Sequence, residues 1–158
     1  MHASFVHSYL KDGRAFVLAS EWTKPVPDKL YVDGAIDLVV DGKRLLSFED
    51  WDLVDQLWAY LIDGLLSVFH TSKPFQSCFP DQPLELHISR AAADRVVFSV
   101  GNHSENVSAK ELLLLVGHGG KEFIKDMNRI IPSLSQSWND YLDKCDELLE
   151  IAFTINSR

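Results

Sequence analysis

Apolar and polar positions alternate along this chain with two periods, and each change of period marks a new element. "SFVHSYL" and "AFVLAS" flank an Asp12-Gly13 step, which predicts a β-hairpin. "EWTKPVPDK" follows as a loop, because its two prolines cannot donate to a strand ladder. In "LYVDGAIDLVV", Val32, Gly34, Ile36, Leu38 and Val40 point one way, while Tyr31, Asp33, Ala35, Asp37 and Val39 point the other. That alternation predicts a strand with one buried face. Asp41-Gly42, the strongest hairpin signal in the chain, turns it back through "KRLL".

The period then lengthens. Ser47-Phe48-Glu49-Asp50 reads as the start of a first helix, with a hydroxyl cap and two acids at the positive end of the dipole. Val54, Trp58, Leu61, Leu65 and Phe69 form its apolar stripe, widened by Leu53, Leu57 and Ile62. Asp52, Asp55, Gln56, Ala59 and Asp63 form the opposite ridge. A second hairpin follows: Leu84, Leu86 and Ile88 alternate with Glu85, His87 and Ser89, and Val96, Phe98 and Val100 mirror them across an "AAAD" turn.

"LLLLVGHGGKEF", residues 112–123, admits two readings: a strand, a glycine loop and a helix that together cradle phosphate, or one helix carrying glycines. Ser108 and Glu111 have capping-box spacing ahead of the leucines. At 100° per residue, Leu112, Leu113, Val116, Gly120, Phe123, Met127, Ile130 and Ile131 share one stripe, so the helical phase survives the glycines. Glu122 stands where GxGxxG needs its last glycine and where a Walker loop needs Ser or Thr, and Leu115 holds the Walker loop's first glycine position. A helix, continuous or kinked at Gly117–Gly120, is therefore expected, with His118 on its polar face. Pro132 stops it, and Ser133 with Gln136 offers a cap for a last helix. That helix turns Trp138, Tyr141, Leu142, Cys145, Leu148, Leu149 and Ala152 to one side, which predicts a buried, inert thiol at Cys145.

Strands, helix, strands and two helices suggest an α+β fold: an antiparallel sheet of about five or six strands with three helices packed on one face. The expected core includes Trp58, Leu61, Leu65, Phe98, Phe123, Met127 and Leu149. The 158 residues form a single domain, 1–158, in this reading, since no linker, repeat or low-complexity tract interrupts them.

Composition narrows the function. Hydrophobic residues make up 46% and charged ones 24%, a globular balance. A net charge of −8 argues against nonspecific nucleic-acid or anionic-membrane binding and suits a basic partner or plain solubility. "MHASFVHSYLKDGR" carries no signal sequence, and no apolar run approaches the roughly 20 residues of a membrane helix. Cys78 and Cys145 are far apart, which fits two free thiols in a cytoplasmic protein.

Complete catalytic motifs are missing. The six histidines include no HxxxH, and His103-Ser104-Glu105 lacks the PCxxC of zinc deaminases. Asp50, Asp52 and Asp55 lack the glycine and distal glutamate of a calcium loop, and no GxSxG occurs. No catalytic residue, metal or cofactor is expected. The candidate binding surface joins Asp33, Asp37, Glu85 and His87, which share the polar phase of their strands and form an acidic patch if those strands are neighbours. Tyr31 and Trp22 would be its aromatic anchors. Asp55 and Asp63 on the first helix make a rival acidic ridge.

Residues 31–69, "YVDGAIDLVVDGKRLLSFEDWDLVDQLWAYLIDGLLSVF", resemble the small acidic bacterial proteins that include toxin-neutralising immunity proteins. The likeness lies in a strand, an Asp-Gly turn and a Trp-rich acidic helix. It implies a protein that binds and blocks a basic partner through an acidic surface, and it carries no catalytic residue across. Two functions are thus expected to compete: a non-catalytic protein-binding module, and a small-molecule-binding domain or enzyme with a pocket near Gly117–Gly120.

Overall fold

The computed structural model describes residues 2–155. Strands β1 (Phe5–Asp12), β2 (Ala15–Leu18), β3 (Asp33–Val40) and β4 (Lys43–Leu46) form an antiparallel sheet in the order β2-β1-β3-β4. A two-residue strand, β5 (Asp52–Leu53), pairs with the start of β3. After helix α1 (Val54–Thr71), strands β6 (Phe75–Cys78), β7 (Glu85–Ala92), β8 (Arg95–Val100) and β9 (His103–Ser108) form a second antiparallel sheet in chain order. Helices α2 (Ala109–Ile130) and α3 (Ser135–Thr154) complete the described residues.

The α+β class, the antiparallel pairing and the three helices match the sequence reading. The strands divide into two sheets, however, because each sheet grows from hairpins local in sequence and α1 carries the chain from one to the other. Their nearest edges meet without a ladder: β4 lies against β8 and β9, and Lys43 Nζ donates to the Asn106 carbonyl at 2.8 Å. Helices α1 and α2 pack on the sheets, and α3 packs on α1 and α2.

The hairpins form where their turn residues allow. Asp41 and Gly42 both have positive φ, 51° and 78°, the mirror-image turn whose twist matches that of paired strands. Ser47 caps, but it caps a 3-10 turn, Phe48–Asp50, rather than α1. Asp52 and Leu53 then pair with Gly34 and Asp33, which holds the chain extended and delays α1 until Val54. A 3-10 turn at Pro132–Leu134 likewise precedes α3, which starts without a side-chain cap. Ser133 Oγ lies 3.3 Å from Lys29 Nζ instead.

Helix α2 runs unbroken through its glycines, with Ser108 Oγ accepting from the Glu111 amide at 3.2 Å. A Cβ at Gly117 would lie 2.6 Å from Leu149 Cδ2, one at Gly119 2.5 Å from Val6 Cγ1, and one at Gly120 2.7 Å from Cys145 Sγ. The glycines therefore let α3 and β1 approach the helix closely. His118 is exposed. Trp58, Leu61, Leu65, Phe98, Phe123 and Met127 are buried as expected, while Leu149 is half-buried against Gly117. Near the end of α2, Arg129 donates to the carbonyls of Ala19 (2.7 Å) and Trp22 (2.6 Å), fixing the chain that leaves β2.

Candidate functional site

Alternation along β1 turns Val6, Ser8 and Leu10 towards the helices, where Ser8 Oγ accepts from Trp58 Nε1 at 2.9 Å. Phe5, His7, Tyr9 and Lys11 therefore stand on the other face. Ring centroids lie 5.2 Å apart from Phe5 to His7 and 6.5 Å from His7 to Tyr9. Phe48 closes over the end of this row, 4.8 Å from Tyr9 and 4.9 Å from Phe16 of β2. The Ser47 turn holds it there: Ser47 Oγ accepts from the Glu49 amide at 3.2 Å, and Asp50 accepts from the Ser47 amide at 3.0 Å. Trp51 comes next, with Lys11 Nζ 4.5 Å from its ring centre. Phe48 and Trp51 remain 38% and 37% exposed, a solvent-facing aromatic surface on the first sheet.

Charge surrounds these rings. Register places His7 opposite Asp37 and Arg44 opposite Val39. Arg44 grips Asp37 with two bonds, Nε to Oδ1 at 2.9 Å and Nη2 to Oδ2 at 3.3 Å. Burial, with Asp37 and Glu21 nearby, raises the pKa of the Tyr9 hydroxyl. Burial also raises that of Asp33, as Asp52 and Asp81 do, against the pull of Lys11.

The expected site residues do not converge. Asp33 and Asp37 belong to the first sheet, Glu85 and His87 to the second, so the four-residue patch is not assembled. Asp37 is buried and ion-paired rather than open, because Phe5, His7, Tyr9 and Arg44 flank the second face of β3 and bury it too. Trp22 is buried, so it is no surface anchor. Tyr31 is 63% exposed beside Asp33, and the two line a small cleft with Lys11. Glu85 accepts from Gln76 at 3.0 Å, and His87 is half-buried between Gln76 and Ser99 on neighbouring strands. Asp55 is half-buried, and burial first, then Asp33, raises its pKa. Asp63 is no free ridge: Tyr141 Oη and Lys144 Nζ each donate to it at 2.8 Å. Sequence reasoning missed Phe5, His7, Tyr9, Phe16, Phe48 and Trp51. The single phase shared by Phe5, His7 and Tyr9 in "SFVHSYL" was the signal available.

A second feature lies where α2 passes β1. His118 and Gly119 line an open groove of about 500 Å³ together with Phe5, Val6, Ser8 and Leu115. Gly117 and Gly120 do not line it, since Leu149 and Cys145 fill the space beside them. Among the described residues no group of three or more His, Cys, Asp or Glu side chains could hold a metal ion. No described helix is long and apolar enough to cross a membrane.

Fold and surface together define an antiparallel α+β protein with an aromatic sheet face. No family model, curated protein or solved structure matches the chain.

Proposed function

We propose that this chain is a non-catalytic protein-binding module that engages a basic protein partner, in the manner of an immunity-type inhibitor. The observation that supports the reading is the open face of the first sheet, where Tyr9, Phe16 and Phe48 gather beside Glu21 and Glu49, and Trp51 lies against Lys11, which Asp33 neighbours. Aromatic side chains supply large contact area at small entropic cost, which is why binding hot spots favour them. Carboxylates around the rings raise the encounter rate of a cationic protein and reject an anionic one.

The test is co-purification from the native host with the wild-type chain and with a Phe48→Ala/Trp51→Ala variant. A basic protein should be retained by the first and lost by the second, and its association with the wild type should slow as salt rises. Asp33→Lys with Glu49→Lys should lower the association rate further. Asp37 is unsuited to this test, because its loss would leave Arg44 without its partner. Retention of the partner by the aromatic variant, or an association rate indifferent to salt, would sink the reading.

A further inference from the structure

Strand β2 covers only half of β1. Its register runs from Asp12↔Ala15 to Tyr9↔Leu18, after which the chain turns away as a 3-10 turn at Ala19–Glu21. Among the described residues, Phe5 to Ser8 therefore pair with β3 on one side and with no strand on the other. In an antiparallel sheet each residue aims its N–H and C=O at one neighbouring strand, and the next residue aims at the other. Asp12 and Ala15 flank a two-residue turn, so Asp12 and Leu10 bond to β2. Val6 and Ser8, in phase with them, aim their backbone groups at the open edge. Such an edge is a template for another strand.

The open edge faces the groove described above, whose far wall is α2. Among the described residues its lining contains no Lys or Arg, and its acidic side chains are Glu122 and Asp126. Glu122 is exposed and Asp126 is half-buried with Arg129 3.6 Å away, so the groove presents a pair of carboxylates to a cationic segment. Val6 and Trp58 pack against the bare Gly119 backbone at the floor, and the apolar walls come from Leu115 and Phe123. A second copy of this chain is the poorer fit, because two chains that each carry a net charge of −8 repel one another.

We propose that the open edge of β1 accepts an extended basic segment of the partner as an added strand, which lays cationic side chains along Glu122 and Asp126. The segment continues the line of β2 past Leu18 and bonds to Val6 and Ser8. Alternate side chains enter the groove beside Val6 and Leu115, and the others lie beside Phe5 and His7, continuous with the aromatic face. This inference rests on the proposed reading that the partner is a basic protein, and it names the part of that partner recognised.

The probe is a seven-residue peptide of alternating valine and lysine, compared with its glutamate counterpart and with a form N-methylated along one edge. The lysine peptide should bind and slow amide exchange at Val6 and Ser8. N-methylation removes strand pairing without touching the protein, and it should weaken binding roughly tenfold. Glu122→Gln with Asp126→Asn should weaken it by about three- to tenfold and flatten its salt dependence. The glutamate peptide should not bind.

Lysine peptide that fails to bind, or binds without protecting Val6 and Ser8, overturns the inference. If a basic partner is then still held through Phe48 and Trp51, the broader reading survives it. If neither peptide nor basic partner binds, both fall. Protection of the same two amides by the protein's own self-association would put a second copy in the groove and overturn the peptide.

Discussion

Gly119 lies so close to Val6 that a Cβ built on it would stand 2.5 Å from the valine Cγ1. The Val6 side chain packs here directly on the bare backbone of helix α2. The same Cβ would meet Trp58 Cη2 at 2.9 Å, and Trp58 cannot swing freely, because it is buried and bonded to Ser8. Gly119→Ala should therefore destabilise by roughly 1–2 kcal/mol, since overpacking outweighs the better helix propensity of alanine. Gly117→Ala should lose a similar amount, because its Cβ would meet Leu149 Cδ2 at 2.6 Å, Leu149 Cγ at 2.8 Å and the backbone carbonyl of Cys145 at 3.2 Å, so α3 itself must shift. Urea unfolding measures both, and wild-type stability in either variant would refute that close contact.

Thiol chemistry should separate the two cysteines. Burial, with a contribution from Asp146, pushes the Cys145 thiol up to about 12, while Cys78 is exposed on β6. A thiol reagent near neutral pH should modify one cysteine per native chain and both after denaturation. Fast modification of both in the native protein would mean that α3 opens readily.

Alkaline pH should loosen the contact between α1 and α3. Burial pushes the Tyr141 hydroxyl up to about 12, reinforced by its bond to Asp63. The folded state thus favours the protonated hydroxyl, so this contribution is complete below the ordinary value of 10.0 and is lost as pH climbs towards about 12. Tyr141→Phe should flatten that part of the stability profile. An unchanged alkaline limb in the variant would assign the loss to another group.

Two residues within reach of the groove should differ sharply. Trp58→Ala removes a fully buried indole and should cost about 3–5 kcal/mol. His118→Ala alters an exposed side chain and should leave the thermal midpoint almost unchanged. A large loss at His118 would give it a structural partner that the fold does not show.

Local signals explain what could be read from the sequence. Asp-Gly steps fixed two hairpins, and an unbroken helical phase carried α2 through its glycines. Strands β6 and β9 escaped because "FQSC" is short and "HSENVS" is polar, with only Val107 of β9 fully buried. Nothing local shows that Asp63 finds partners 78 and 81 residues away in Tyr141 and Lys144. Asp37 read as a solvated strand position because its alternation hides the arginine seven residues on. Trp22 read as an anchor because its neighbours are loop-forming prolines, yet the indole is buried and its carbonyl is bonded by α2.

The Arg129 bonds to Ala19 and Trp22 have a consequence for the order in which the protein becomes whole on the ribosome. They join residues 110 and 107 positions apart, so the first sheet is synthesised long before the helix that clamps it. Until α2 emerges, Val6 and part of Trp58 lack their cover, and an early hairpin presents bare apolar surface to solvent or to a chaperone. Hairpin formation takes microseconds, while translation adds some 5–20 residues each second. The first sheet therefore waits for several seconds, and a stalled chain ending before Ala109 should be far more prone to aggregation than the finished protein.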